Sequence, residues 1–206
     1  MPRPSPLQNR VAPDGSLHAA LARGRMMGNR GGRLHRPDRT LGRARWKSRA
    51  WIACRLAFHG RHREVWGESY TELFLLDEAT ALAAGHRPCF ECRRADALAF
   101  AAAWARAQRL ERPPRAGEMD RILHAERLGA REALRFADLP EGSIFAADGG
   151  FLLCTAHGAR AWSFAGYRPA RPFAPDERVE AVTPAHARAA LAAGYRADLH
   201  PSAIPS

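Results

Sequence analysis

Residues 70–94 constrain this chain most: Tyr-Thr-Glu-Leu-Phe-Leu-Leu-Asp-Glu-Ala-Thr-Ala-Leu-Ala-Ala-Gly-His-Arg-Pro-Cys-Phe-Glu-Cys-Arg-Arg. A strand-like apolar run (Leu73–Leu76) leads into a short helix that Asp77 can cap. Gly85, just past the last turn, can take the left-handed conformation that stops the helix. Pro88 then stiffens the turn into Cys89-Phe90-Glu91-Cys92. Two thiols two residues apart across such a turn can face one ion, which is half of a tetrahedral zinc site. The competing redox reading wants the pair at the end of a core strand opening into a helix. Here a helix stop and a proline precede it, which favours zinc.

The upstream sequence supplies a third sulfur. Trp51-Ile52-Ala53-Cys54-Arg55-Leu56-Ala57-Phe58 alternates like a strand, and Gly60 marks a turn. Arg61–Trp66 resumes the alternation, so a hairpin feeding a central strand at Tyr70–Leu76 is expected. A small sheet beside a knuckle is how compact zinc domains gather distant ligands, and Cys54 is then the natural third one. The alternative for Cys54 is a small buried hydrophobe.

Residues 51–94 resemble the zinc-binding domain of the Ada alkylation-response family. The resemblance is carried by Ala81-Leu82-Ala83-Ala84-Gly85-His86-Arg87-Pro88-Cys89-Phe90-Glu91-Cys92 after an aromatic-aliphatic strand. That family holds zinc with four cysteines, the first two spaced Cys-x-x-x-Cys. Here Cys54 stands at the first position and Phe58 at the second, with His59 next and His62 close behind. The resemblance implies a zinc ion on Cys54, Cys89, Cys92 and a histidine, with His59 the first choice and His62, His35 and His124 the alternatives. It also implies transfer of a methyl group from an alkylated DNA phosphate to Cys54. A neutral histidine in place of one thiolate would leave the remaining sulfurs less electron-rich, so weaker methyl acceptance is expected.

Charge divides the chain unevenly. The net charge is +11, and residues 1–49 hold eleven arginines and Lys47 against only Asp14 and Asp38. The other residues are close to neutral. A segment of this kind suits phosphate backbones, bound by counterion release with little sequence information. The bland alternative is a solvated tail whose arginines reflect genome composition. Arg30, Arg33, Arg45 and Lys47 are the candidate contacts there. Arg93 and Arg94, which oppose the dipole in the first turn of the next helix, are two more. Gly28, Gly31 and Gly32 would let backbone amides approach an anion.

The expected organisation is α+β in three parts. Residues 1–45 read as a basic, largely disordered head, rich in proline at the start. Residues 46–136 read as the zinc-knuckle sheet followed by two helices, one over 93–109 and one from about Glu118 to Leu128. Residues 137–206 read as a β-meander or small open barrel with a terminal short helix. Its turn signals are Asp148-Gly149-Gly150 and His157-Gly158, and Arg178–Val182 is a candidate further strand. Cys154 alternates with apolar neighbours in the meander and reads as core. Ala190–Arg196 repeats the helix-stop pattern of Ala81–Arg87 without cysteines. No run approaches the 18–20 apolar residues of a membrane span. Nothing points to an oxidising compartment, so a cytoplasmic protein is expected.

Three functions follow as expectations. The first is a structural Cys3His zinc protein binding nucleic acid non-specifically through phosphates. The second is a DNA-repair methyl acceptor acting through Cys54. The third is a zinc-stabilised protein-interaction module, with Trp162 or Tyr167 exposed on the meander. A hydrolytic zinc enzyme is disfavoured, since no His-Glu-x-x-His grouping occurs.

Overall fold

The computed structural model describes residues 6–60 and 64–204. The elements run β1 (Gln8–Val11), β2 (Leu17–Ala19), β3 (Met26–Asn29), β4 (Ile52–Arg55), β5 (Leu73–Leu75), α1 (Glu78–Ala83), β6 (Arg87–Pro88), α2 (Arg94–Ala107) and α3 (Ala116–Leu128). They continue with β7 (Glu132–Arg135), β8 (Ile144–Ala147), β9 (Gly150–Thr155), β10 (Gly158–Ser163), β11 (Gly166–Pro169), β12 (Arg178–Ala181) and α4 (Ala185–Ala192). The class is α+β, as the sequence implies. No helix among the described residues is long and apolar enough to cross a membrane.

The first sheet has the order β2-β1-β5-β3-β4-β6. It departs from expectation in two ways. The arginine-rich head is not disordered over its described length: β1, β2 and β3 all come from it. Val11, Leu17 and Met26 alternate into a core with Ala53, Leu73 and Leu75 of the sheet and Ala81 and Ala84 at the following helix. Enough apolar side chains sit between the arginines to bury three strands. The second departure is the topology. β4 does not form a hairpin leading into β5; β3 lies between them, pairing Met27 with Cys54 on one side and with Phe74 on the other. The 61–63 part of the expected hairpin, including His62, lies outside the described residues, and residues 64–70 form turns.

Gly28 has a structural task at the centre of β3. A Cβ there would stand 2.8 Å from the Ile52 carbonyl oxygen. The missing side chain lets β3 and β4 approach, which accounts for this glycine without any anion.

All six residues of α1 are buried. Asp77 caps it as expected, accepting from the Thr80 amide at 2.9 Å and the Thr80 hydroxyl at 2.8 Å. The helix also ties the molecule together. Leu76, Ala79 and Ala83 pack against Ile144, Leu153 and Tyr167 of the second sheet. Helices α2, α3 and α4 form their own core around Phe100, Trp104, Met119, Leu123 and Leu191.

The second sheet has the order β11-β10-β9-β8-β12-β7, and all its pairings are antiparallel. The expected meander is there, and the sheet stays open. Its two named aromatics are engaged internally. Trp162 donates through its indole N–H to the Thr80 hydroxyl at 3.0 Å, and buried Tyr167 donates to Asp77 Oδ1 at 3.1 Å.

Candidate metal centre

Strand pairing brings the three sulfurs together. β4 and β6 run parallel, with Ile52 opposite Arg87 and Ala53 opposite Pro88. The ladder continues one step, since the Cys89 amide donates to the Ala53 carbonyl at 3.0 Å. Cys89 therefore emerges beside Cys54, the residue after Ala53. A tight turn then returns Cys92 to the same point, and the Arg93 amide closes it on the Cys89 carbonyl at 3.1 Å.

The three Sγ atoms all lie within 4.8 Å of one another. Tetrahedral zinc with Zn–S bonds of about 2.3 Å sets its sulfurs roughly 3.8 Å apart, so the cluster needs little contraction to close on an ion. All three cysteines are buried, and Met27, Ile52 and Phe58 pack around them. Two amides aim at the sulfurs: Glu91 N–H donates to Cys89 Sγ and Arg55 N–H to Cys92 Sγ, each at 3.4 Å. Such donors favour the thiolate, the form that binds metal.

With protons in place of a cation, the thiols hydrogen-bond one another. Cys54 is pushed far up, first by donating to Cys89 and Cys92 and then by burial. Cys89 is held low, chiefly because Cys54 and Cys92 donate to it. A divalent cation would replace the protons that crowd there. The donor set fits zinc, and equally another thiophilic ion.

The sulfurs lie at the wall of a cleft of about 310 Å³ lined also by Arg23, Phe74 and Glu72. Glu72 is the site residue that sequence reasoning missed. It is buried; its Oε2 accepts from the Trp66 amide at 2.9 Å, and its Oε1 has no hydrogen-bond partner among the described residues. The only signal in the sequence is an acidic residue directly before the apolar run of β5.

The candidate histidines among the described residues stand elsewhere. His59 is exposed at a positive φ of 51°, its ring 3.9 Å from that of Phe58, and it is not part of the three-ligand group. His35 uses both ring nitrogens, on the Thr71 hydroxyl at 2.7 Å and the Gly67 carbonyl at 2.9 Å, and stacks on Trp66. His124 Nδ1 accepts from Arg127 at 2.8 Å. Cys154 lies in the second sheet with its thiol on the Leu139 carbonyl, and burial pushes it up to about 11.

The basic candidates divide into two groups. Arg33, Arg45, Lys47 and Arg94 are exposed. Arg30 is buried, donating to the Gly15 carbonyl at 2.8 Å with its guanidinium 3.6 Å from the centroid of Trp51. Arg93 is buried between Glu78 Oε2 at 2.8 Å and Asp96 Oδ2 at 2.9 Å. Arg30 and Arg93 therefore do not stand on the surface where phosphate contacts were expected. Comparison of the chain with protein-family models, curated proteins and solved structures finds no significant match.

Proposed function

We propose that this is a zinc protein whose ion sits on Cys54, Cys89 and Cys92, and that it binds nucleic acid through its phosphates in the cytoplasm. The observation that carries the metal reading is the convergence of sulfurs from β4 and from the turn after β6. Any fourth ligand comes from the cleft side, from water, substrate or His59 after a loop rearrangement. The nucleic-acid reading is supported by the charge of residues 1–49, with Arg33, Arg45, Lys47 and Arg94 as the exposed contacts.

Elemental analysis tests the first part. One zinc per chain is expected in the wild type and none in Cys89→Ser, whereas equal zinc in both would remove the centre. Salt tests the second. Binding to any DNA should weaken steeply as salt rises, with the slope falling by about one for each contacting cation removed. Binding that ignores salt would leave an acidic-protein partner as the better account.

A second reading makes Cys54 a methyl acceptor of the kind the Ada resemblance implies. It is favoured by one observation: Cys54 lines two clefts, the second bounded by Arg25, Arg55 and Arg196 together with the acids Glu78, Asp96 and Asp198. The thiolate would attack the methyl carbon of a phosphotriester, forming the S–C bond as the C–O bond breaks and a phosphodiester anion leaves. Mass spectrometry after incubation with methylated DNA should show one methyl on Cys54. An unchanged mass would eliminate this reading and leave the structural site standing.

A further inference from the structure

On the far edge of the knuckle, a cleft of about 430 Å³ is lined by Arg30, Arg45, Trp46, Trp51, Arg127 and Arg131. Two acids reach it, and both are occupied. Asp14 Oδ1 accepts from the Ser16 amide and hydroxyl. Glu126 takes the ring and the amide of His186.

The cations are less well provided for. Arg30 reaches the Gly15 carbonyl, the Arg45 carbonyl at 3.4 Å and His86 Nε2 at 3.5 Å. Arg127 reaches the Gly85 and Arg49 carbonyls and His124 Nδ1. Every one of these acceptors is neutral. Both guanidiniums lie over the Trp51 ring, 3.6 and 4.0 Å from its centroid; burial, and after it the Arg127 charge, makes the Arg30 charge costly, and Asp14 offsets part of that. Two buried donors in this wall, Trp51 Nε1 and Arg127 Nε, have no hydrogen-bond partner among the described residues.

Stacking alone does not account for such a cluster. Cation–π contact and the charges of Asp14 and Asp120 stabilise these guanidiniums in part, but N–H groups stay unpaired and, among the described residues, neither guanidinium is hydrogen-bonded to an acid. An oxyanion would satisfy both. At the rim stands Trp46, 38% exposed, 6.0 Å from Trp51 and edge-on to His124 at 5.6 Å. It presents a flat apolar surface beside the positive wall, the arrangement that accepts a stacked base.

We propose that this cleft binds a nucleoside phosphate, with the phosphate taken by Arg127, Arg30 and the Trp51 indole N–H and the base against Trp46. The site stands apart from the thiol centre and does not depend on it. The phosphate can belong to a free nucleotide or to a single strand of nucleic acid; in the second case the cleft deepens the nucleic-acid reading above by adding a defined pocket to the diffuse surface contacts.

The test uses the whole 206-residue chain, with tryptophan fluorescence and calorimetry as readouts. The probes are inorganic phosphate, adenosine monophosphate and a short single-stranded oligothymidylate. Adenosine monophosphate should bind saturably at one per chain. Arg127→Gln should weaken it roughly tenfold or more, as loss of a charge-assisted hydrogen bond implies. Trp46→Ala, a change at an exposed position that spares the fold, should weaken adenosine monophosphate but leave inorganic phosphate unaffected. Oligothymidylate displacing the nucleotide identifies the strand as the source; nucleotide binding without displacement identifies the free nucleotide. The proposal fails if no probe binds saturably at millimolar concentration, or if binding is unchanged in both variants. DNA binding accompanied by no saturable binding of adenosine monophosphate would retain the surface-contact reading while this one falls.

Discussion

Two neighbouring arginines show how little residue type says about role. Arg93 and Arg94 are equivalent in the sequence, both in the first turn of a helix. In the fold Arg93 is buried and neutralised by Glu78, which also accepts from the Tyr195 hydroxyl at 2.6 Å and the Asp198 amide at 2.8 Å. Arg94 projects outward. Arg93→Ala would leave Glu78 as an uncompensated buried acid, at a cost of about 3–5 kcal/mol. Arg94→Ala should change unfolding free energy by no more than about 0.5 kcal/mol and lower the salt slope of DNA binding. Urea unfolding of both variants checks the pair, and equal losses would overturn it. Arg30 teaches the same lesson: in an arginine- and glycine-rich stretch it reads as surface, and only the placement of Trp51 shows that it is core. The cysteine pair was legible because its spacing carries its own geometry. Glu72 and the Arg127 stack were not, because each depends on contacts far apart in the chain.

Local grammar was legible at the scale of elements, while topology was not. The two helix stops that look alike in sequence are built alike. Gly85 and Gly194 both have positive φ, and each glycine amide bonds back to the carbonyl three residues earlier, while the next residue, His86 or Tyr195, bonds five residues back. That residue is then turned into the core in each case. Gly85 does more, because a Cβ there would meet Arg127 Cδ at 2.8 Å, so the helix stop is also a docking point for α3. Insertion of β3 between β4 and β5 escaped the sequence, because alternation sets which face a strand buries and says little about which strand it meets. The tie from β6 to α3 escaped it too: Arg87 donates to both carboxylate oxygens of Asp120, at 2.8 and 2.9 Å, with both side chains nearly buried. Since Arg87 holds the register of the strand that delivers Cys89, Asp120→Ala should do two things. It should cost about 3–5 kcal/mol in unfolding, and it should release zinc faster to a chelator. A variant that loses stability but keeps wild-type zinc release would uncouple helix from knuckle.

Across the whole molecule, the first sheet folds around cations that acid makes harder to keep. His86 is fully buried beside Arg30 and Arg127, with its ring 5.1 Å from Trp51. Burial first, and then these two guanidiniums, hold it well below the ordinary imidazole range. The folded state therefore binds fewer protons at this site than the unfolded chain does. Stability is fully present above the unfolded value of about 6.5 and is lost as pH falls below it, by up to about 1.4 kcal/mol per pH unit. His124 shifts the same way, through burial and then Arg127 and Arg49, but its greater exposure makes its share small. Asp77 acts oppositely: burial raises it, so its contribution declines as pH rises above about 3.9. Because the Asp77 contribution is common to the wild type and a His86 variant, the difference between the two isolates the histidine's share below about pH 6.5. Urea unfolding across that range, at matched zinc content, should give a steeper acid loss for the wild type than for His86→Gln, even if the variant is less stable throughout. Parallel curves would mean that His86 stays neutral in both states or takes its proton without unfolding. Inorganic phosphate should shift both curves upward by binding the folded state at Arg127, which an equal ionic strength of chloride should not do.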